Sequence, residues 1–188
     1  MSEQTIRFNA IKALDKFTDH SKFGRQILTT IHVQDGHAVA ADGFRLMATP
    51  TKTNGFTGNL SPAEILSLGK AVKRPTTLHL DNPTPDTGAH AVITDDKGAP
   101  QIHKHITVTD AVYPDWRQIM PASEPTVSVR LNARYLRDLA DAALAMGAQN
   151  DAVELHLFTQ NQAVKFTFTD TDNVESFGLI MPMTLDKK

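Results

Sequence analysis

The sequence predicts an α+β protein in which antiparallel strands form sheets with helices held on one face. Three observations carry this expectation: three short amphipathic helical stretches, strand-like segments of alternating polarity between them, and the order strand, helix, three strands recurring about three times. A supersecondary unit that recurs in this way normally buries its faces against its neighbours.

The first helical stretch is "NAIKALDKF", with Ala10, Ala13, Leu14 and Phe17 at helical spacing and Asn9 as the expected N-cap. The second opens on "SPAE": Ser61 as N-cap, Pro62 at the first helical position and Glu64 to close a capping box, with Ile65, Leu68 and Val72 along its apolar face. The third, "NARYLRDLADAALAMG", aligns Leu136, Leu139, Ala140, Ala143 and Leu144 on one face and ends at Gly147.

Strands are expected between and after these helices. "QILTTIHVQ" (26–34) sets Ile27, Thr29, Ile31 and Val33 on one face, and Asp35-Gly36 turns it into "HAVAA". "FRLMAT" (44–49) follows. After the second helix come "TTLHL" (76–80), "HAVIT" (90–94) and "QIHKHITVT" (101–109). "TVSVRL" (126–131) precedes the third helix, and "AVELHLF" (152–158), "AVKFTFT" (163–169) and "SFGLIMP" (176–182) follow it. The stretch "MPASEPT" (120–126), rich in Pro and Ser, marks a domain boundary, giving expected domains at 1–121 and 122–188.

Composition narrows the function classes. With 188 residues, 40% apolar and 21% charged, the chain is long enough for one or two domains with a true core. No apolar run approaches the roughly 20 residues that span a bilayer, and "MSEQTIRFNAIK" lacks the pattern of a secretory signal. The sequence holds no cysteine, so disulfides and thiolate metal sites are excluded, and a cytoplasmic protein is the expectation. A net charge of −2 requires any nucleic acid to be met by a local basic surface.

Signals for catalysis are weak. "HKH" places His103 and His105 on one face of a strand, with His90 as a candidate third zinc ligand. "DTDN" with Glu175 has calcium-type ligands but lacks the glycine and spacing of an EF-hand loop, so it reads as a hairpin turn. No Gly-rich phosphate loop or nucleophile elbow is present.

Four stretches in chain order carry a resemblance: "AADGFRLMA" (40–48), "YPDWRQIMP" (113–121), "LNARYLRDLA" (131–140) and "GLIMPM" (178–183). Together they resemble the bacterial DNA polymerase III β sliding clamp family, which has a "TDGHRL"-like turn, a "FPDYRRVLP"-like domain exit, a "FNVRYLLDVL"-like helix and a final "VVMPM"-like strand. Residues 1–121 look like that family's middle domain and 126–185 like the second half of its last domain. The resemblance implies a DNA-clamp-like fold and a non-enzymatic protein that needs no cofactor.

The resemblance also implies a hydrophobic groove that takes a short peptide of Gln-Leu-x-Leu-Phe type from a DNA polymerase or other replication protein. Its lining here would be Leu28, Ala41, Gly43, Phe44, Arg45, Leu46, Pro114, Gln118, Ile119, Leu179, Met181, Pro182 and Met183. Methionine suits such a wall because its flexible thioether adapts to its guest. Phe44, Ala41 and Gln118 depart from the family's usual histidine, threonine and basic residue, which makes the groove less polar and less positive. Double-stranded DNA would be met without sequence reading by Lys12, Lys16, Lys22, Arg25, Lys70, Lys73, Arg74, Arg134 and Arg137. The family's ring holds twelve helices, so this three-helix chain implies a homo-oligomer, with four copies restoring twelve. Two alternatives stand beside this reading: a clamp-derived adaptor or decoy that does not encircle DNA, and a metal-dependent enzyme built on His90, His103 and His105.

Overall fold

The computed structural model describes residues 4–21, 23–53, 55–84, 87–159 and 161–183. The chain divides into two compact units, Met1–Gln118 and Ile119–Lys188.

The first unit runs twice through one sequence of elements. β1 (Gln4–Arg7) leads into α1 (Phe8–Asp15), then β2 (Ile31–Gln34), β3 (His37–Ala41) and β4 (Leu46–Pro50). The order returns as β5 (Gly58–Leu60), α2 (Pro62–Gly69), β6 (Thr77–Thr84), β7 (Gly88–Thr94) and β8 (Pro100–Ile106), followed by the short β9 (Val108–Thr109). The leading strands are exchanged. β1 pairs antiparallel with β6 of the second repeat, and β5 pairs antiparallel with β2 of the first. The sheets therefore read β1-β6-β7-β8 and β4-β3-β2-β5-β9. Each repeat's tail also returns to its own leading strand, through a Thr5–Lys52 bridge in one case and β5–β9 pairing in the other. Each repeat closes the open edge that the other would present to solvent.

The core of this unit lies between the helices and the inner faces of both sheets. Ile11, Leu14, Ile31, Val33, Ile65, Leu78 and Leu80 are all buried in it. Such a side chain contributes about 1.5–3 kcal/mol when fully removed from water. The helices approach so closely that a Cβ on Gly69 would sit 2.0 Å from Cζ of Phe8. Only a residue without a side chain fits there.

Three local expectations are corrected. α1 begins at Phe8 with Arg7 at the N-cap position and no side-chain cap, so Asn9 lies inside the helix. Burial of the Phe8 ring outweighs a cap worth about 1 kcal/mol. Gln26–Thr29 forms a 3-10 turn in place of a strand. The Thr29 and Thr30 hydroxyls donate to the Gln26 and Ile27 carbonyls at 2.8 and 2.6 Å, offering the backbone an alternative to a ladder. Glu64 does not close a capping box: Ser61 Oγ accepts from its N–H at 3.3 Å, while its carboxylate accepts from the Thr107 N–H. The Asp35-Gly36 hairpin turn forms as expected, with φ of 48° and 70°.

The second unit contains the order once. An extended segment at 126–131 precedes α3 (Ala133–Ala145), β10 (Glu154–His156), β11 (Val164–Thr169) and β12 (Glu175–Ile180), and the sheet reads β10-β11-β12. The 126–131 segment, expected as a strand, joins no ladder among the described residues; the Met183 N–H donates to Arg130 O at 2.8 Å. Asn132 caps α3 by accepting from the Arg134 N–H at 2.9 Å. α3 buries only Leu139 and Ala143, whereas Leu136, Ala140 and Leu144, expected on the buried face, are exposed. "DTDN" is a hairpin turn: Asp170 Oδ1 accepts from the N–H groups of Asp172 and Val174 at 2.9 Å each.

Placing a methyl between the helices of the first unit tests this packing. Gly69→Ala is expected to destabilise the protein by about 1–3 kcal/mol, although alanine favours helix, because the Phe8 ring is locked in the core. Urea denaturation measures the loss.

Candidate functional site

In the first unit the candidate groove residues cluster around one turn. Asp42 Oδ1 accepts from the N–H groups of Phe44 and Arg45 at 3.0 and 3.1 Å, and Gly43 supplies the φ of +93° that the turn requires. This Asx-type turn leaves the Phe44 ring 100% exposed between Ala41, at the end of β3, and Leu46, at the start of β4. Arg45 is committed elsewhere: Nε donates to Asp42 Oδ2 at 2.8 Å, a terminal nitrogen donates to Lys16 O at 3.0 Å, and the guanidinium lies 5.2 Å from the Phe17 ring centre. The Arg45 hydrogen bond, aided by the Phe44 N–H, holds the Asp42 carboxyl below its ordinary value of 3.8. Leu28, also a candidate, is buried in the 3-10 turn.

The chain's exit from this unit is fixed by a buried polar hub that sequence reasoning missed. Asn59 Oδ1 meets His32 Nδ1 at 2.8 Å, while Asn59 Nδ2 donates to the carbonyls of Thr109 and Ala111 at 3.0 and 2.8 Å. The Tyr113 ring stacks on His32 at 4.7 Å between centres, and burial pushes its hydroxyl above the ordinary 10.0. Arg117 binds Asp35 at 3.0 Å and lies 4.6 Å from the Trp116 ring centre. Pro114 and Gln118 are thereby held exposed on this segment. The signal was faint: asparagine in a three-residue strand reads as a turn former.

In the second unit, Leu179 and Met181 point away from α3. Antiparallel register sets Leu155, Phe166 and Gly178 in one row on the helix side, so Phe177 and Leu179 take the opposite face. Leu179 and Met181 are exposed at 62% and 67%, and Ile119 and Met183 are also exposed, while Pro182 is half-buried.

The basic candidates differ in their freedom. Lys12, Lys16, Arg25, Lys70, Lys73 and Arg134 are exposed. Arg74 is paired with Asp96 at 3.0 Å, and Arg137 with Asp138 at 3.3 Å and Asp141 at 3.9 Å. Lys22 lies outside the described residues. His90 faces His103 at 5.6 Å between ring centres and is the register partner of His105, yet among the described residues no group of three or more His, Cys, Asp or Glu is placed to hold a metal. An open hollow of about 500 Å³ between Arg7, Lys52, Thr77 and His79 includes none of the candidate residues. No helix among the described residues is long and apolar enough to cross a membrane.

Paired β-α-βββ repeats with exchanged leading strands define the DNA sliding clamp fold class. No family model and no curated protein matches the sequence, and the likeness is structural. The DNA polymerase sliding clamp from Bacillus subtilis is similar over 96% of this chain and 49% of its own, with TM-score 0.68 and 14% identity. The clamp from Pseudomonas aeruginosa gives 0.66 at 14%, over 96% and 51%. The β subunit of DNA polymerase from Streptococcus pyogenes gives 0.63 at 16%, over 98% and 51%. The chain therefore spans about half the length of these proteins.

The turn's electrostatics can be read directly. Asp42 has a depressed pKa when folded, so the stability it contributes is present above 3.8 and is lost as pH falls through the lower, folded value. A carboxyl NMR titration is expected to place Asp42 below 3.8 and Arg45→Ala to return it toward that value. An unmoved midpoint would show that Arg45 does not hold the turn.

Proposed function

We propose that this chain is a non-enzymatic, clamp-like processivity factor that recruits a DNA polymerase or another replication protein through a short linear peptide. The observation that carries the reading is the clamp fold, matched over 96% of the chain. It is supported by apolar side chains that reach the surface where the motifs placed a groove: exposed Phe44 and half-buried Leu46 in the first unit, exposed Ile119, Leu179, Met181 and Met183 in the second. Ala41, Gly43, Pro114 and Gln118 belong to the first unit's set, and Pro182 to the second's. Arg45 fixes the turn that presents Phe44 and is a positioning residue. A buried leucine or aromatic anchor from the peptide supplies most of the binding energy. The protein acts in the cytoplasm without a cofactor.

In this reading several copies assemble on double-stranded DNA, whose phosphates meet Lys12, Lys16, Arg25, Lys70, Lys73 and Arg134 without base readout. A second reading, an adaptor that binds the same peptides without encircling DNA, is favoured by the ion pairs that occupy Arg74 and Arg137 and by the net charge of −2.

A labelled Gln-Leu-x-Leu-Phe peptide, followed by fluorescence anisotropy, tests the groove. Met181→Ala and Leu46→Ala are each expected to weaken binding about tenfold. Unchanged affinity in both variants would remove the pocket assignment.

DNA affinity against salt separates the two readings. Binding by a clamp is expected to fall steeply with salt, and changing Lys12 and Lys16 together to alanine lowers the log–log slope by about two. Binding that is absent, or indifferent to salt, leaves the adaptor.

A further inference from the structure

The second unit is one repeat of a design that the first unit uses in pairs, and corresponding positions show what is missing. Four residues after the N-cap stand Ile11 in α1, Ile65 in α2 and Leu136 in α3. The two isoleucines are 1% and 0% exposed, whereas Leu136 is 41% exposed. The strand after each helix carries apolar-His-apolar: Ile31-His32-Val33, Leu78-His79-Leu80 and Leu155-His156-Leu157. The first two sets keep their apolar side chains within 2% of full burial, but Leu155 and Leu157 are 44% and 46% exposed on the face that carries α3. β2 and β6 are each paired on both edges, while β10 pairs only with β11 among the described residues.

The 126–131 segment supplies the complement. It corresponds to β1 and β5, each the leading strand before a helix. Like them, it is tied to its own repeat's tail, here through Met183 N–H and Arg130 O. Its other edge pairs with no described strand, and Val127, Val129 and Leu131 alternate as half-buried residues between exposed Thr126, Ser128 and Arg130. In the first unit that other edge always binds the histidine-bearing strand of the opposite repeat.

From this correspondence we propose that two copies of this chain join through their second units about a two-fold axis, each lending residues 126–131 to the β10 edge of the other. The first unit specifies the register. Leu60 faces Ile31 and Ile6 faces Leu78; Asn59 faces His32 and Thr5 faces His79. Leu131 then faces Leu155 of the second copy, and Arg130 faces its His156. Both first-unit pairings are antiparallel, and an exchange between like repeats is isologous, which closes at two. Phe8, first in α1, meets Gly69, eighth in α2, so two α3 helices set Ala133 of one against Ala140 of the other, with Leu136 near the axis. Small residues at both positions suit this close approach. The interface lies on the α3 side of the sheet, opposite Leu179 and Met181, and stands or falls independently of peptide binding.

The full chain is examined by light scattering across a concentration range, as wild type and as Leu136→Glu, with circular dichroism as the folding control. The wild type is expected to be a dimer, or a tetramer built from dimers. Leu136→Glu brings two carboxylates together at the axis and weakens that association about a hundredfold or more. Because the chain lacks cysteine, Leu136→Cys gives a direct second readout: oxidation is expected to yield a covalent dimer, whereas Ala63→Cys, at an exposed position of α2, yields none. A folded wild-type monomer would overturn the proposal and give this face to a different polypeptide. Assembly that survives Leu136→Glu, together with no Leu136→Cys dimer, would place the interface elsewhere and overturn it equally.

Discussion

The structure depends on the exchange of leading strands between β-α-βββ repeats. A lone repeat has a helix over a three-stranded sheet, an open edge on its histidine-bearing strand and a leading strand whose other edge is unpaired. Two repeats placed about a pseudo-two-fold satisfy both needs at once, as β1 with β6 and β5 with β2 do. The same arrangement brings α1 against α2 and buries Ile11 and Ile65 between them. Backbone pairing and apolar burial therefore form together, which explains why, among the described residues, the first unit has one extensive core and the second a small cluster of Ala143, Ala148 and Phe168 with Phe166 against it.

The site follows from that frame. A rigid two-repeat body lets short connections carry exposed apolar groups without collapsing onto them. The Asp42 turn holds Phe44 in solvent through backbone hydrogen bonds and Arg45, and the Asn59 hub holds the exit segment through two carbonyls. In the second unit the strand pleat alone separates two apolar sets. Leu155 and Leu157 face the helix side and Phe177 and Leu179 the other, which puts the proposed assembly surface and the proposed docking surface on opposite faces of one sheet.

What could be read from the sequence was local. Ser61-Pro62 starts α2, Asp35-Gly36 turns the first hairpin, and the threefold order of elements is visible because each segment carries its own periodicity. Clamp resemblance followed from four stretches in chain order. The exchange of leading strands was hidden, because pairing across some seventy residues leaves no short-range pattern in β1 or β6. The 26–29 segment misled because alternation of Ile27, Thr29 and Ile31 fits a strand, while the threonine hydroxyls favoured a tight turn. The partners that fix Arg45, Asp42 and the Lys16 carbonyl, carry no mark in the sequence. On α3 the apolar periodicity is real, yet only two of its five residues, Leu139 and Ala143, are buried.

The central claim is that this repeat architecture is complete only when every β-α-βββ unit finds a partner. Backbone hydrogen exchange of β10 and of Val129 and Leu131, followed against chain concentration, tests it most directly. The account predicts amides at 129, 131, 155 and 157 that become strongly protected as concentration rises, toward the level of β6 in the first unit. Exchange in β10 that stays fast at every concentration, while β6 remains protected, would contradict it.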